Sequence, residues 1–523
     1  MALLAPWYGP MLRASSASTP ASTPDDLETD MKSVASAFAV VEQNFADPVD
    51  SEKAFYQGAI PGMLRTLDPH SNFVDPAEYR EMQRKQRAAY CGVGMEIYPD
   101  GNKVAAMRPF VGAPAYKADL RRGDHIIAVD GKNAVGLGSG PGVLVDSAKV
   151  ADMLRGPCGT QVRVTMEREG SPNVNVSVTR GQIETSIVDA FWVKPGIAFL
   201  RVDSFEAQNI ARDVEADMKK LGEENVQGMV LDLRNNPGGL VTEAVRLAGR
   251  FLRDGQIVVS HRGRAEQEQV FRAQAVPAAQ KYPIVVLVNG SSASAAEIVT
   301  GALQDHDRAW VLGDTTFGKG LVQAQFPLNE GAALLLTIAH YYTPSGRLIQ
   351  RDYSHQSFWD YYTHHGDNNN TQDIKATDSG RKVFGGGGIT PDEKYPNPKY
   401  DIFERRTAPV SMVVYHFADN YFAGQKPSLP AGWQPDDNTL ERFKAFLKKE
   451  NVPFTDEEFN ANKDWVRDQI RYEFYFRVWD KPAADRAQWQ NDPEVKKAIE
   501  SMPKAQELLQ NVQKVMAQRG VKG

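Results

Sequence analysis

The strongest constraint on the fold comes from a short apolar run that leads directly into a helical pattern. Residues 284–288 read Ile-Val-Val-Leu-Val and end at Asn289-Gly290, and small residues then open a second apolar stretch that continues to Leu303. A buried strand followed by an apolar helix is the building unit of α/β proteins. The segment therefore predicts an α/β core in which Ser294 stands at the N-terminus of a helix.

Ser294 occupies a position that suits a nucleophile. The free backbone N–H groups and the positive dipole end of a helix N-terminus stabilise an oxyanion that develops during acyl transfer. A serine hydroxyl also needs a base, and a neutral lysine can serve as one. Lys319, which lies between Gly318 and Gly320, is the candidate. The alternative is that Ser294 and the serines before it only cap the helix.

Several motifs between residues 30 and 400 agree with this chemistry. In chain order they read GML and LDPHS (62–71), LDLRNNPGG (231–239), SASAAEI (292–298), TFGKG (316–320) and YYTPSGRLIQ (341–350). They resemble the C-terminal processing peptidases, or tail-specific proteases, which cut proteins with a Ser–Lys dyad. The resemblance implies that Ser294 is the nucleophile and Lys319 the general base. The family commonly has serine where this chain has Ala296, a change that leaves Ser294 in place.

The lysine can act as a base only if its pKa is depressed. At an ordinary pKa of ~10.4, about one lysine in several thousand is neutral at pH 7. Burial among apolar neighbours would lower the pKa of Lys319. The resemblance implies that Gln323 orients the lysine amine. Because residues four apart are ~5–6 Å apart in a helix and ~13 Å apart in a strand, we expect residues 319–323 to be helical or sharply bent.

A glycine-rich loop follows the buried strand predicted at 228–233. It reads Asn-Asn-Pro-Gly-Gly over 235–239, and two glycines let a backbone approach a ligand closely. By the resemblance, the N–H of Gly238 or Gly239 is one oxyanion donor and the N–H of Ala295 is the other. A phosphate-binding loop is disfavoured because the chain lacks a G-x-x-x-x-G-K-[ST] pattern.

Other side chains near the serine suggest different bases. Asp305 lies 11 residues after Ser294, but a carboxylate beside the lysine would raise its pKa and oppose deprotonation. We therefore interpret Asp305 as structural and expect it to pair with Arg308. His306 or His340 as the base of a Ser–His hydrolase acting on small esters remains a further alternative.

Residues 85–183 change to short alternating strands and glycine turns. The block resembles a PDZ domain, which binds a peptide as an added edge strand and holds its terminal carboxylate on the N–H groups of a glycine loop. The residues concerned are Gly92, Val93 and Gly94 in the carboxylate loop and Met95 and Ile97 along the groove. The alternative is that these glycines only serve a turn.

We expect a multidomain protein of the α/β and α+β classes, with a PDZ-like β domain inserted before an α/β serine peptidase core. Helical regions precede and follow these two units. The segments are a low-complexity tether or leader remnant (1–25), a helical region (26–84), the PDZ domain (85–183), the peptidase core (184–400, with an insertion at 352–384) and a C-terminal helical region (401–523). The insertion suits a flap or an assembly contact, and the last region a cap or an assembly element.

Composition excludes several functional classes. The 523 residues carry a formal charge of −6 with scattered basic residues, so the sequence gives no electrostatic footprint for nucleic acid. No run approaches the ~18 apolar residues of a membrane span. The nine histidines and two cysteines form no metal pattern, and we expect neither a metal nor another cofactor. Cys91 and Cys158 are interpreted as two separate thiols, which could pair if the compartment oxidises.

The start of the chain bears on location. MALLAPWYGPML is too short and too broken for a signal peptide, and residues 14–25 are rich in Ser, Thr, Pro and Ala, as tethers are. With the resemblance, this favours an extracytoplasmic site, periplasmic or in the cell envelope, with a membrane tether through a missing or trimmed leader.

The expected function is that of a serine endopeptidase that cleaves protein or peptide substrates near their C-termini and recognises their tails. The N-terminal helices, which carry apolar residues at three-or-four spacing, either serve a homo-oligomer or form a structural cap. A catalytically silent PDZ scaffold that binds C-terminal tails is the alternative from another class.

Overall fold

The computed structural model describes most of the chain from residue 24 to residue 518. The segments that it does not describe are 1–23, 88, 111, 139–143, 169, 185–186, 266, 275–280, 354–360, 362–369, 397–401, 408–411, 424–426 and 519–523. The predicted leader and most of the predicted tether therefore lie outside the described residues. None of the helices in the described ranges combines the length and apolarity that a bilayer crossing requires.

The N-terminal region is mostly helical, as predicted, and it also contributes one strand. Its elements are α1 (Pro24–Asn44), α2 (Ser51–Lys53), a π-helical turn (Ala54–Ala59), α3 (Ile60–Arg65), β1 (Asn72–Val74) and α4 (Pro76–Gln86). Helix α4 begins with a full capping box between Asp75 and Glu78. Strand β1 was not predicted, because three residues are too few for a periodic pattern.

The next unit is a small β domain. Its elements are β2 (Ala89–Gly92), β3 (Met95–Asp100), β4 (Lys103–Pro109), α5 (Pro114–Lys117), β5 (His125–Val129), β6 (Lys132–Asn133), α6 (Ser147–Leu154), β7 (Gln161–Glu167), β8 (Val174–Thr179) and β9 (Gly181–Glu184). One sheet has the order β3-β4-β5-β7-β8 with β6 on β5, and β2 pairs with β9. Strand β3 is an edge strand beside α6. This PDZ-like layout agrees with the predicted fold class.

A disulfide joins two parts of this domain. Cys91 on β2 is bonded to Cys158, which follows α6, with Cα atoms 5.1 Å apart. The interpretation of these cysteines as two separate thiols is therefore wrong. The two residues are 67 positions apart in the chain, and only the tertiary fold brings them together.

The peptidase core is built on a six-stranded sheet and a second, antiparallel sheet. Its elements are β10 (Val188–Lys194), β11 (Ile197–Val202), α7 (Ile210–Leu221), β12 (Gly228–Asp232), α8 (Val241–Phe251), β13 (Ile257–Arg262), β14 (Gln269–Arg272), β15 (Ile284–Val288), α9 (Ala295–Asp305), β16 (Trp310–Gly313), β17 (Leu321–Pro327), β18 (Ala333–Tyr342), β19 (Asn370–Ala376), β20 (Lys382–Gly385) and β21 (Glu393–Lys394). The first sheet has the order β10-β11-β12-β15-β16-β21 and is parallel from β11 onward. In the second, β18 pairs with β1, β13 and β17.

Helices α7, α8 and α9 pack between the two sheets in one large apolar core. Strands β12 and β15 are buried along their whole length, because a parallel sheet covered on both faces has no solvent side. The carboxyl ends of these two strands lead into the glycine loop and into α9. This is the edge of the sheet at which ligands bind in α/β proteins.

The C-terminal region is helical, as predicted. Its helices are α10 (Ile402–Thr407), α11 (Val413–Phe422), α12 (Asp437–Lys449), α13 (Asp456–Ala461), α14 (Lys463–Val478), α15 (Lys481–Asn491), α16 (Pro493–Glu500) and α17 (Met502–Gln518). One long helix was expected over 456–478, but the chain breaks at Asn462, where φ is −106° and ψ is 15°. Helices α16 and α17 cover the free face of the six-stranded sheet with Val495, Ala498 and Met502.

Candidate active site

Ser294 caps the N-terminus of α9, at the point predicted. Its backbone has φ 62° and ψ −115°, a left-handed conformation that is strained for any residue except glycine. The side chain is buried, and its Oγ has no hydrogen-bond partner among the described residues. A strained backbone and a buried hydroxyl without a partner are features that occur at reactive sites.

Lys319 lies in the loop that leads into β17, and its amine is buried. Nζ donates a hydrogen bond to Oε1 of Gln323 over 3.1 Å. Burial lowers the pKa of Lys319 to about 8, although the negative charges of Asp68 and Glu297 oppose this shift. At that pKa about one amine in ten is neutral at pH 7, compared with one in several thousand for an ordinary lysine.

The contact between Lys319 and Gln323 is made without a helix. Strand β17 begins at Leu321, and a β-bulge interrupts its pairing between Val322 and Gln323. The residue left out of the pairing is Ile338, so the extra residue of the bulge lies on β18 and not on β17. Residues 321–323 are in a strand, so the helical alternative for residues 319–323 is wrong.

Glu297, which the sequence analysis did not single out, connects the serine and lysine segments. Its fully buried carboxylate accepts hydrogen bonds from the N–H groups of Ser294 (2.7 Å), Gly318 (2.7 Å) and Lys319 (2.9 Å) and from the Thr316 hydroxyl (2.5 Å). Burial raises the pKa of Glu297, and these hydrogen bonds oppose the rise. A glutamate three residues after an N-capping serine is a capping-box signal that could have revealed the first of these contacts.

Tyr341 provides a second link between the same segments. Its hydroxyl lies 3.0 Å from the main-chain oxygen of Ser294 and 2.7 Å from that of Lys319, so its one proton serves two acceptors. The tyrosine is buried on β18. The first tyrosine of the YYTPSGRLIQ motif therefore links the Ser294 and Lys319 segments.

The glycine loop lies directly against the serine. A Cβ added to Gly238 would lie 2.6 Å from Cβ of Ser294 and 2.9 Å from the nitrogen of Ala295. The N–H of Gly238 is already donated to Oδ1 of Asn236 at 2.9 Å. Gly239 forms a parallel β-bridge with Phe205, but its two neighbours make the hydrogen bonds: the Phe205 N–H donates to the main-chain oxygen of Gly238, and the Leu240 N–H donates to that of Phe205. The N–H of Gly239 itself therefore points away from Phe205. Of the two predicted glycine donors, Gly239 is thus the better placed.

The LDPHS motif of the N-terminal region lies beside Lys319 and Gln323. The Asp68 carboxylate accepts hydrogen bonds from the N–H groups of His70 and Ser71, both at 2.7 Å, and so fixes a tight turn. The main-chain oxygen of His70 accepts a 2.7 Å hydrogen bond from Nε2 of Gln323. Because a carbonyl oxygen can only accept, it directs the amide oxygen of Gln323 towards Lys319.

Asp305 pairs with a residue that was not expected. Its carboxylate lies 2.7 Å from Nη2 of Arg347, and both side chains are buried. The predicted pairing with Arg308 is wrong, since Nε of Arg308 donates to the main-chain oxygen of Phe251 at 2.9 Å. Asp305 is therefore a partner for a buried arginine.

The two histidines considered as bases lie in other surroundings. In His306, Nδ1 lies 2.8 Å from Oδ2 of Asp378, and Nε2 lies 2.8 Å from the main-chain oxygen of Ile257. Both ring nitrogens are engaged, so His306 is not available to Ser294. His340 lies on β18 opposite Leu321, and burial lowers its pKa. Neither histidine is hydrogen-bonded to Ser294 in the described part of the chain.

A cavity of about 1230 Å³ connects the lysine with the PDZ-like domain. Its lining includes Lys319, Gln323 and Gly239 from the peptidase core and Ala151 and Arg155 from the region of α6. Helix α4 forms much of the wall between them. One space is therefore bordered both by the candidate site and by the helix next to the PDZ-like edge strand.

The predicted tail-binding residues lie around edge strand β3. Gly92 pairs with Gly181, and the main-chain oxygen of Val93 accepts a hydrogen bond from Ala115. Gly94 has φ 75°, and a Cβ there would lie 2.5 Å from that of Ala113, so only glycine fits. The two groove residues differ: Met95 is buried in the core of the domain, and Ile97 is partly exposed. Their role in tail binding stays a prediction.

The chain is similar to several known proteins. The profile described as Peptidase family S41 matches residues 196–354, and that described as Activating protease CtpB N-terminal domain matches residues 10–77. The carboxy-terminal-processing protease of Bartonella bacilliformis is 38% identical over 308 residues, which cover 58% of this chain and 68% of the relative. The carboxyl-terminal-processing protease of Synechocystis sp. is 37% identical over 301 residues, which cover 56% and 68%.

Among solved structures, the photosystem II D1 C-terminal processing protease is 28% identical, with a TM-score of 0.35, and the match covers 69% of this chain and 86% of that one. The sequence relatives match most of their own length, and the profile of Peptidase family S41 spans the glycine, serine and lysine motifs. The expected family is therefore confirmed: this chain belongs to the carboxy-terminal processing proteases of peptidase family S41.

Proposed function

We propose that this chain is a serine endopeptidase that cleaves proteins near their C-termini with Ser294 as nucleophile and Lys319 as general base. The observation that carries the proposal is the buried lysine whose pKa falls to about 8 in a loop that Glu297 joins to the serine. Gln323 takes one N–H of the amine and so leaves the nitrogen lone pair for the serine proton.

In the proposed reaction, Ser294 Oγ attacks the scissile carbonyl and its proton passes to Nζ of Lys319. The N–H groups of Gly239 and Ala295 stabilise the oxyanion. Lys319 then gives the proton to the leaving amine, and a water that it activates hydrolyses the acyl-enzyme. The Ser294 Oγ has no hydrogen-bond partner among the described residues, so the proposed proton transfer requires Oγ and Nζ to come into hydrogen-bond contact.

The direct test is mass spectrometry of peptides released from an unstructured protein by the wild type and by Ser294→Ala. Products that begin near the C-terminus of the substrate and disappear in the variant support the proposal. Products that persist in Ser294→Ala would reject this nucleophile.

The pH dependence follows from the lysine. Only the neutral amine accepts the serine proton, so kcat/KM is expected to rise with pH and to level off above pH 8, near the pKa of Lys319. Below that pH the neutral fraction, and with it the rate, should fall about tenfold per pH unit. A profile measured with a fluorogenic peptide that is flat from pH 6 to pH 9 would contradict a lysine base.

We further propose that the PDZ-like domain binds the substrate tail. Strand β3 is an edge strand with α6 beside it, which is the arrangement that accepts an added peptide strand. The disulfide of Cys91 and Cys158 joins the strand before the Gly92–Gly94 loop to the segment after α6. The cavity shared with Lys319 offers a path from this groove to the dyad.

Amidation of the substrate C-terminus tests this binding mode. It removes the charge that the N–H groups of the Gly92–Gly94 loop would hold, and a charge-assisted hydrogen bond contributes ~1.5–3 kcal/mol. Tail affinity should therefore fall roughly ten- to a hundredfold in fluorescence anisotropy measurements. A lower kcat on the amidated substrate would indicate that the bound tail also opens the site. Equal affinity for the two peptides would exclude carboxylate recognition.

Location and assembly are proposed on separate observations. The disulfide supports an oxidising compartment outside the cytoplasm, such as the periplasm or the cell envelope. Helix α1 supports a homo-oligomer, because its apolar residues alternate at spacings of four and three, as in packed helix pairs. These side chains are Leu27, Met31, Val34, Phe38 and Val41, and most of them are exposed.

The second candidate is a silent scaffold that binds tails without cutting them, which the PDZ-like domain alone would support. A serine-directed fluorophosphonate probe separates the two. Labelling of the wild type, but not of Ser294→Ala, indicates an activated hydroxyl. Absence of labelling together with intact tail binding would favour the scaffold.

A further inference from the structure

Tyr361 comes from the insertion at 352–384 and is buried beside the lysine loop, with 1% of its surface exposed. Its hydroxyl lies 2.9 Å from Nε2 of His70 and accepts a 3.1 Å hydrogen bond from Nε2 of Gln350. These two partners come from the N-terminal region and from the YYTPSGRLIQ motif. One hydroxyl of the insertion therefore joins two distant segments of the chain.

Gln350 and Arg351 connect Tyr361 to the residues before and after Lys319. Oε1 of Gln350 accepts a 2.9 Å hydrogen bond from the N–H of Gly320. The guanidinium of Arg351 lies 4.6 Å from the ring centres of both Phe317 and Tyr361. The loop that presents Lys319 is thus held before and after the lysine by residues that contact Tyr361.

His70 connects Tyr361 to the amine of Lys319 through Gln323. Its main-chain oxygen accepts from Gln323, which in turn accepts from Nζ of Lys319. Burial and the nearby positive charge of Lys319 hold the pKa of His70 well below its ordinary value, so the ring is neutral. The Tyr361 hydroxyl and Nε2 of this neutral ring share a 2.9 Å hydrogen bond, and the tautomer of His70 sets which of them donates.

We propose that Tyr361 is a positioning residue for the catalytic lysine, and that it acts through His70 and Gln350 to hold Gln323 and the lysine loop in their working geometry. This inference rests on the proposed function of Lys319. The proposal gives one residue of the insertion a role in the reaction. The flap or assembly contact expected from the sequence stays a separate prediction.

Tyr361→Phe tests the proposal, because it removes one oxygen and keeps the ring between its neighbours. The loss of one buried hydrogen-bonding group, worth ~1.5 kcal/mol, should lower kcat roughly tenfold. KM for a free-acid peptide and the affinity for a tail peptide should stay within about twofold, since the hydroxyl faces His70 and Gln350. Tyr353→Phe is the matched control: it also removes one tyrosine oxygen, keeps a ring that packs against Tyr361, and should leave kcat unchanged.

A double-mutant cycle with His70 separates positioning from a general loss of packing. His70→Leu should lower kcat as much as Tyr361→Phe, and the two together should be no worse than the more damaging single change. His70→Gln, which keeps a polar group near the position of Nε2, should recover part of the rate. Circular dichroism and tail-peptide binding give the folded fraction by which each rate is divided.

Additive effects of the two changes, or an unchanged kcat per folded molecule in Tyr361→Phe, would overturn the proposal. Lys319→Ala is assayed beside these variants. If it loses activity while Tyr361→Phe does not, only the positioning role fails. If Lys319→Ala stays active, the proposed dyad itself fails.

Discussion

Lys319→Ala is expected to lower kcat for peptide hydrolysis by roughly 10⁴- to 10⁶-fold, and Ser294→Ala by a similar factor. The two groups act as one unit, because the hydroxyl attacks only when the amine takes its proton. The double variant should therefore be no slower than the slower single variant. Single-turnover assays with a fluorogenic peptide, and labelling by a fluorophosphonate, measure the two losses independently.

The matched control is Lys382→Ala, which removes an exposed lysine of the same core. It should retain the wild-type rate. If Lys319→Ala keeps more than about a tenth of the wild-type rate, the lysine is not the base, since a general base contributes ~10²- to 10⁴-fold even where it acts alone. Multiplicative losses in the double variant would indicate that serine and lysine act separately.

Glu297→Gln is expected to damage both stability and chemistry. The carboxylate accepts from three N–H groups and one hydroxyl, and the amide offers a single oxygen and turns its NH₂ towards donors. Each buried donor left without a partner costs ~1–3 kcal/mol. We expect a loss of about 3 kcal/mol in the free energy of unfolding and a fall in kcat of at least about a hundredfold, because both dyad segments shift.

Urea denaturation followed by circular dichroism measures the first effect, and kcat at a temperature far below the transition measures the second. Glu224→Gln, at an exposed carboxylate that accepts a hydrogen bond from Asn225, is the control and should change neither quantity. Wild-type stability in Glu297→Gln would mean that the four hydrogen bonds to the Glu297 carboxylate do not stabilise the fold. Lost stability with an unchanged kcat per folded molecule would remove Glu297 from the support of the dyad.

The sequence predicted the elements that periodicity encodes. Strand Ile284–Val288, helix α6 and the helix after Ser294 appear where the apolar spacing predicted them. Ser294 and Lys319 were predicted as nucleophile and base because serine, lysine and glycine motifs stand in one order along the chain, and their catalytic roles stay a prediction. The contact between Lys319 and Gln323 was also expected, although its strand bulge was not.

Contacts between distant parts of the chain could not be predicted in this way. Arg347 pairs with Asp305 from 42 positions away, and His70 meets Tyr361 from 291 positions away. Local pattern reports which face of an element is buried, but it does not report which other element covers that face. For the same reason the pairing of the cysteines was missed and Glu297 was not recognised as a link.

The contacts of Glu297 limit how the serine and lysine segments can move. The Glu297 carboxylate accepts hydrogen bonds from the backbone of both the Ser294 segment and the Lys319 segment, so these two segments cannot move apart without breaking them. A displacement of the serine segment would therefore break hydrogen bonds that also hold the lysine segment, so we expect the two backbone segments to move together.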